Sequence, residues 1–137
     1  MTKSKQKQFF SNRRISRIQA VQLLYEADIR GSYNQQDHSE TSSEFTELLI
    51  IGIKNNIVNI DNNIKKYAPD WPINQMPAID RNILRIAIYE IMFEGSIPKV
   101  IANESVELAK LFGSESSPKF INGVLGSLIE STEKITI

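Results

Sequence analysis

The chain predicts an all-α fold, a single-domain bundle of six or seven short helices, and three observations carry that expectation. Apolar residues recur at helical three- and four-residue intervals, while strand-like alternation persists nowhere. Glycines, prolines and clusters of Ser, Asn and Asp cut those periodic stretches at short intervals. With 137 residues, 41% of them hydrophobic and 23% charged, the chain suits one globular domain with its own core.

Residues 1–10, "MTKSKQKQFF", read as a flexible basic N-terminal arm, and 11–137 as the single domain. Ser11 or Asn12 can accept from free amides and open a first helix, which stops at Gly31. "GSYNQQDHSETSS" follows as a polar loop. Thr41 and Glu44 have capping-box spacing, so the next helix is expected to start near residue 42. That helical region extends to Ala68, ahead of Pro69, with Ile53, Ile57, Ile60, Ile64 and Tyr67 spaced as a buried seam. The asparagine-rich stretch between Lys54 and Asn63 can divide it in two.

"PDWPINQMP" is a proline-punctuated connection. Residues 78–94, "AIDRNILRIAIYEIMFE", form the most apolar helix and the expected centre of the bundle, ended by Gly95. Pro98 suits the first turn of a helix that closes at Gly113. Ser117 is expected to cap a last helix with Pro118 at its first position.

The chain has no cysteine, which excludes disulfides, thiolate metal sites and cysteine nucleophiles. Apolar runs are short: Leu48 to Ile51 ends at Gly52, far below the ~20 residues a bilayer span needs. The basic N-terminus lacks the apolar core of a secretory signal, so no membrane role and a cytoplasmic location are expected. Enzyme signatures are missing as well. No glycine-rich phosphate loop, G-x-S-x-G or H-E-x-x-H occurs, and the single histidine, His38, lies in the polar loop. No catalytic residue, metal ligand or cofactor is expected.

Net charge is zero, yet the charges are segregated. The first 25 residues hold six basic side chains and no acid, leaving ten basic against sixteen acidic residues in the remainder. A basic segment on an acidic body is an arrangement for binding polyanions. At ~100° per residue, Arg13, Arg14 and Arg17 share one arc of the first helix, and Ala20, Val21 and Leu24 continue it. One stripe therefore turns from cationic to apolar, as if its first turns projected beyond the core.

Arginine suits phosphate through its planar, permanently charged fork. A single-stranded RNA would also need groups that stack on or read bases. Gln22 and Tyr25, and Lys119, Phe120 and Asn122 in "KFING", supply candidates. For Phe120 and Tyr25 the residues alone equally allow packing roles. Glu90 with Glu94, and Glu104 with Glu107, each share a helix face, either as solvated or helix-contacting acids or as an acidic surface for a basic protein.

Three stretches, "RRISRIQAVQLLYEADIRG", "IDRNILRIAIYEIMFEGSIPKVIANESVELAKLFG" and "SSPKFINGVLGSL", together resemble the NusB family of transcription antitermination factors, with Trp71 also in place. The resemblance implies an all-α fold without enzymatic activity. It implies binding of single-stranded boxA RNA from ribosomal RNA leaders, jointly with the small-subunit ribosomal protein NusE. Other Nus factors and RNA polymerase would be engaged indirectly, and self-association into a homodimer stays open. Carried over by position, Arg13, Arg14, Arg17, Tyr25, Lys119, Phe120 and Asn122 fall at RNA-site positions. Arg85, Tyr89 and Glu90 fall on the expected partner surface. The lysine-bearing arm, the single acid in Ser114 to Ser117, and Gly126 in place of a common acid depart from the family pattern. A helical protein–protein adaptor without sequence-specific RNA binding is the alternative from another functional class.

Overall fold

The computed structural model describes residues 3–31 and 43–135, with side chains over 12–31 and 43–133. Among these residues the fold is all-helical: α1 (Lys3–Arg30), α2 (Glu44–Asn55), α3 (Ile57–Tyr67), a 3₁₀ turn (Ile73–Gln75), α4 (Ala78–Met92), α5 (Pro98–Phe112) and α6 (Ser117–Ile135). His38 and Thr41 lie outside the described residues, as do the side chains of the basic segment before Asn12.

The first helix does not begin at Ser11 or Asn12. It runs unbroken from Lys3 for 28 residues, because no glycine or proline interrupts it before Gly31. Gly31 ends it at φ 73°, a left-handed conformation that glycine adopts without steric cost. Ser43, rather than Thr41, caps α2, its hydroxyl accepting from the Thr46 amide at 3.1 Å. Ser43 is held there by the Ser16 hydroxyl at 2.7 Å, while the Thr46 hydroxyl donates to the Ser16 carbonyl at 3.0 Å. This hydroxyl cluster ties α1 to α2. The expected division of the second helical region falls at Asn56, whose side-chain amide donates to the Gly52 carbonyl at 2.7 Å.

α4 is the central helix and touches α1, α2, α3, α5 and α6. Ile83, Leu84, Ile86, Ala87 and Ile88 are buried on it, meeting Val21 and Leu24 of α1, Ile53 of α2, Ile60 and Ile64 of α3, Leu108 of α5 and Ile121 and Leu125 of α6. Two glycines mark close approaches. A Cβ on Gly52 would stand 2.1 Å from Tyr89 Cζ, and one on Gly113 would stand 2.9 Å from the Ala109 carbonyl oxygen.

Ser117 does not cap α6 in the expected way. It is the first helical residue, and its buried hydroxyl accepts from the Ser114 amide at 2.9 Å and donates to Asp80 at 2.7 Å. Burial pushes the Asp80 carboxyl above the usual carboxylate range, and the Ser117 bond partly offsets that push. One serine thus fastens the α5–α6 connection to the start of α4.

Candidate nucleic-acid interface

The arginines of α1 divide into three environments. Arg17 is buried and forms a two-point ion pair with Glu90 of α4, itself 1% exposed, at 2.8 and 2.9 Å. Its guanidinium is therefore committed to the core, against the expectation that all three arginines project. A buried carboxylate needs a charged, hydrogen-bonding partner, and Arg17 is the one supplied. Arg14 is exposed and donates two bonds to Glu104 of α5 at 3.1 and 2.9 Å. Those bonds hold the Glu104 carboxyl below the usual glutamate range and raise the Arg14 pKa. Arg13 is exposed and lies over the Phe45 ring, 3.9 Å from its centroid.

A groove of about 600 Å³ joins α1, α5 and α6. Arg14, Glu104, Glu107 and Lys110 line one side, and Lys119 and Asn122 the other. The structure thus brings Arg14 together with the exposed Lys119 and Asn122 of "KFING", a juxtaposition anticipated between residues more than 100 positions apart. Asn103, on the same α5 stripe, also lines the groove and was missed from sequence. Its signal was the spacing of Asn103, Glu104, Glu107 and Lys110, which places them on one helix face.

Phe120 does not line the groove. Its ring packs edge-on against Trp71 with centroids 4.9 Å apart, the packing role left open for it. Gln22 and Tyr25 are exposed on α1 but lie two to three turns beyond Arg14, also outside the groove lining.

The three residues expected on a partner surface turn inward. Arg85 is buried, pairing with Asp61 of α3 at 2.8 and 2.9 Å and with Asp28 of α1 at 3.3 Å. Tyr89 is 7% exposed and donates to Glu94 at 2.5 Å. Burial and that carboxylate push its phenol up to about 12. Glu90 is the buried partner of Arg17. Nor do the two acidic pairs make a free acidic surface. Glu94 meets Tyr89, Glu104 meets Arg14, and Glu107 meets Lys110 at 3.2 Å.

Among the described residues, no helix is long and apolar enough to cross a membrane, and no three His, Cys, Asp or Glu side chains are arranged to hold a metal ion.

The family model described as "NusB family" matches residues 14–130. A transcription antitermination protein NusB from Pelotomaculum thermopropionicum is 41% identical over 133 residues, covering 90% of this chain and 92% of its own. A second, from Dehalococcoides mccartyi, is 43% identical over 129 residues, covering 86% and 90%. Among solved structures, T. maritima NusB superposes with a TM-score of 0.76 at 31% identity, over 91% of this chain and 97% of that one. A crystal structure of the antitermination factors NusB and NusE in complex with dsRNA gives 0.72 at 26% identity, over 87% and 96%. On the matched residues, the identities and the shared helical fold, this chain belongs to the NusB family.

Proposed function

We propose that this protein is a non-enzymatic transcription antitermination factor that binds single-stranded boxA RNA of ribosomal RNA leaders together with the ribosomal protein NusE, helping RNA polymerase read through terminators. The observation that carries this reading is the groove that gathers Arg14, Lys110 and Lys119 around neutral amides. Cations there meet phosphates, and amides meet bases. Relatives named as antitermination proteins support it, and a structural neighbour holding NusB and NusE with dsRNA supports the coarser pairing of RNA and NusE.

In this reading residues 11–137 are the RNA-binding domain, and the basic segment 1–10 adds sequence-independent attraction. Arg13, Arg14, Lys119 and Asn122 contact RNA, with Gln22 and Tyr25 on the strand's continuation along α1. Arg17 and Phe120 hold the site's framework. Arg85, Tyr89 and Glu90 shape the central helix behind the NusE surface. Other Nus factors and RNA polymerase are reached through the assembled complex in the cytoplasm.

The test is a fluorescence-anisotropy titration of labelled boxA RNA, its scrambled counterpart and a boxA duplex, with and without NusE. The expected result is preference for single-stranded boxA, tightened by NusE and weakened steeply by salt. Equal binding of boxA and scrambled RNA under all conditions would leave the protein-adaptor reading in its place.

A further inference from the structure

We infer that the RNA groove has two halves of different chemistry, and that Asn103 and Asn122, at their junction, read the edge of one base. This rests on the RNA reading above and adds to it a specificity-determining residue, Asn103, and a path for the strand.

Beyond the first groove lies a second, of about 370 Å³, between α5 and α6. The two share Asn103 and Asn122, so they form one continuous furrow. On α5 the furrow runs from Lys110 back to Lys99, about 16 Å at 1.5 Å per residue, enough for several nucleotides at the ~3.4 Å stacked rise.

Charge separates the halves. The half nearest α1 holds three cations, Arg14, Lys110 and Lys119, against Glu104 and Glu107. The far half holds Lys99 against Glu130 and Glu133. Phosphates are therefore favoured in the first half, where cations outnumber carboxylates. A carboxylate-bearing pocket instead accepts hydrogen bonds from base amino groups.

No aromatic ring lines either half, so a base there is held by its edge rather than by an aromatic stack. Asn103 and Asn122 are exposed and their side chains make no hydrogen bond with any described residue, which leaves the amide donors and acceptors available. Each amide presents an adjacent donor and acceptor, the complement of a base edge carrying both, as adenine does. The floor beyond them is open, because Gly126 has nothing within 4 Å of where a Cβ would stand.

The test measures binding of boxA and scrambled single strands by full-length wild type, Asn103→Ala, Asn122→Ala and, as a phosphate-contact control, Lys119→Ala, across a salt series with NusE present. Circular dichroism checks that each variant folds. Asn103→Ala and Asn122→Ala should each reduce the boxA-over-scrambled preference about tenfold with the salt slope unchanged. Lys119→Ala should weaken both RNAs alike and lower the salt slope by about one. If both asparagine variants keep the wild-type preference, or weaken both RNAs equally, no base is read at this junction. If wild type shows no preference, the RNA reading and this inference fall together. Preference retained by the asparagine variants removes only the inference.

Discussion

Replacing Arg17 by alanine separates a framework role from an RNA contact. The side chain bonds Glu90 at two points inside the bundle, and Glu90 is 1% exposed. Removing the guanidinium leaves a carboxylate that water does not reach. Breaking such a pair from one side costs about 3–5 kcal/mol, against a total domain stability of about 5–15 kcal/mol. For a chain of this length, that is a fall in melting temperature of roughly 10–20 °C. Arg14→Ala removes an ion pair of similar geometry on the surface, where such pairs contribute about 1 kcal/mol or less. Urea unfolding followed by circular dichroism gives both values, and anisotropy on the folded fraction gives RNA affinity. The double substitution Arg17→Met with Glu90→Leu should recover most of the lost stability, because it removes both charges together. The framework assignment fails if Arg17→Ala unfolds within 1 kcal/mol of wild type while RNA binding is lost.

Three further outcomes follow from the same geometry. Glu104→Gln should strengthen RNA binding several-fold at low salt, since Arg14 no longer has a carboxylate competing with phosphate; anisotropy against salt measures this. Because Arg14 depresses the folded-state pKa of Glu104, the ionised pair stabilises above the ordinary glutamate range and is lost as pH falls through the folded value, so Glu104→Gln should flatten the acid limb of a stability-against-pH curve. Ser117→Ala should cost about 2–3 kcal/mol in urea unfolding, as the buried Asp80 loses its hydroxyl donor and the Ser114 amide its acceptor. Gly52→Ala should destabilise by about 1–3 kcal/mol, because its Cβ falls on the Tyr89 ring, and Tyr89→Leu in the same chain should recover part of the loss in thermal melts.

The helices were legible because burial is written into local spacing. From Ile83 to Met92 α4 is apolar except at Arg85 and Glu90, and the stops at Gly31, Gly95 and Gly113 fall where the helices end or turn. Helix starts were less legible. Ser11 has the chemistry of a cap, but nothing local says whether the preceding residues are helical too, and "KSKQKQFF" contains no breaker. Ser43 wins over Thr41 through contacts with Ser16 of another helix.

The site followed the same rule. Helical angles correctly put Arg17 on the stripe of Ala20, Val21 and Leu24, and that stripe is buried. Its charge suggested exposure, and the carboxylate that allows burial lies 73 residues away. The meeting of Arg14 with Lys119 and Asn122 came only from the family resemblance, since no local pattern relates α1 to α6.

The ion pairs of α1 have a consequence for assembly. α1 carries a cation, Arg17, at its middle and an anion, Asp28, near its end. α4 carries Arg81 in its first turn, Arg85 at its middle and Glu90 in its last turn. Arg17 meets Glu90, while Asp28 accepts from Arg81, Asn82 and Arg85. The two helices therefore pair like the coded edges of a jigsaw. Laid side by side in the opposite sense, arginine would face arginine and carboxylate would face carboxylate. A slip of one turn, about 5.4 Å, would break the Arg17–Glu90 pair and carry Arg14 the same distance from Lys119. Orientation and alignment of the helix that bears the arginines are thus set from inside the bundle.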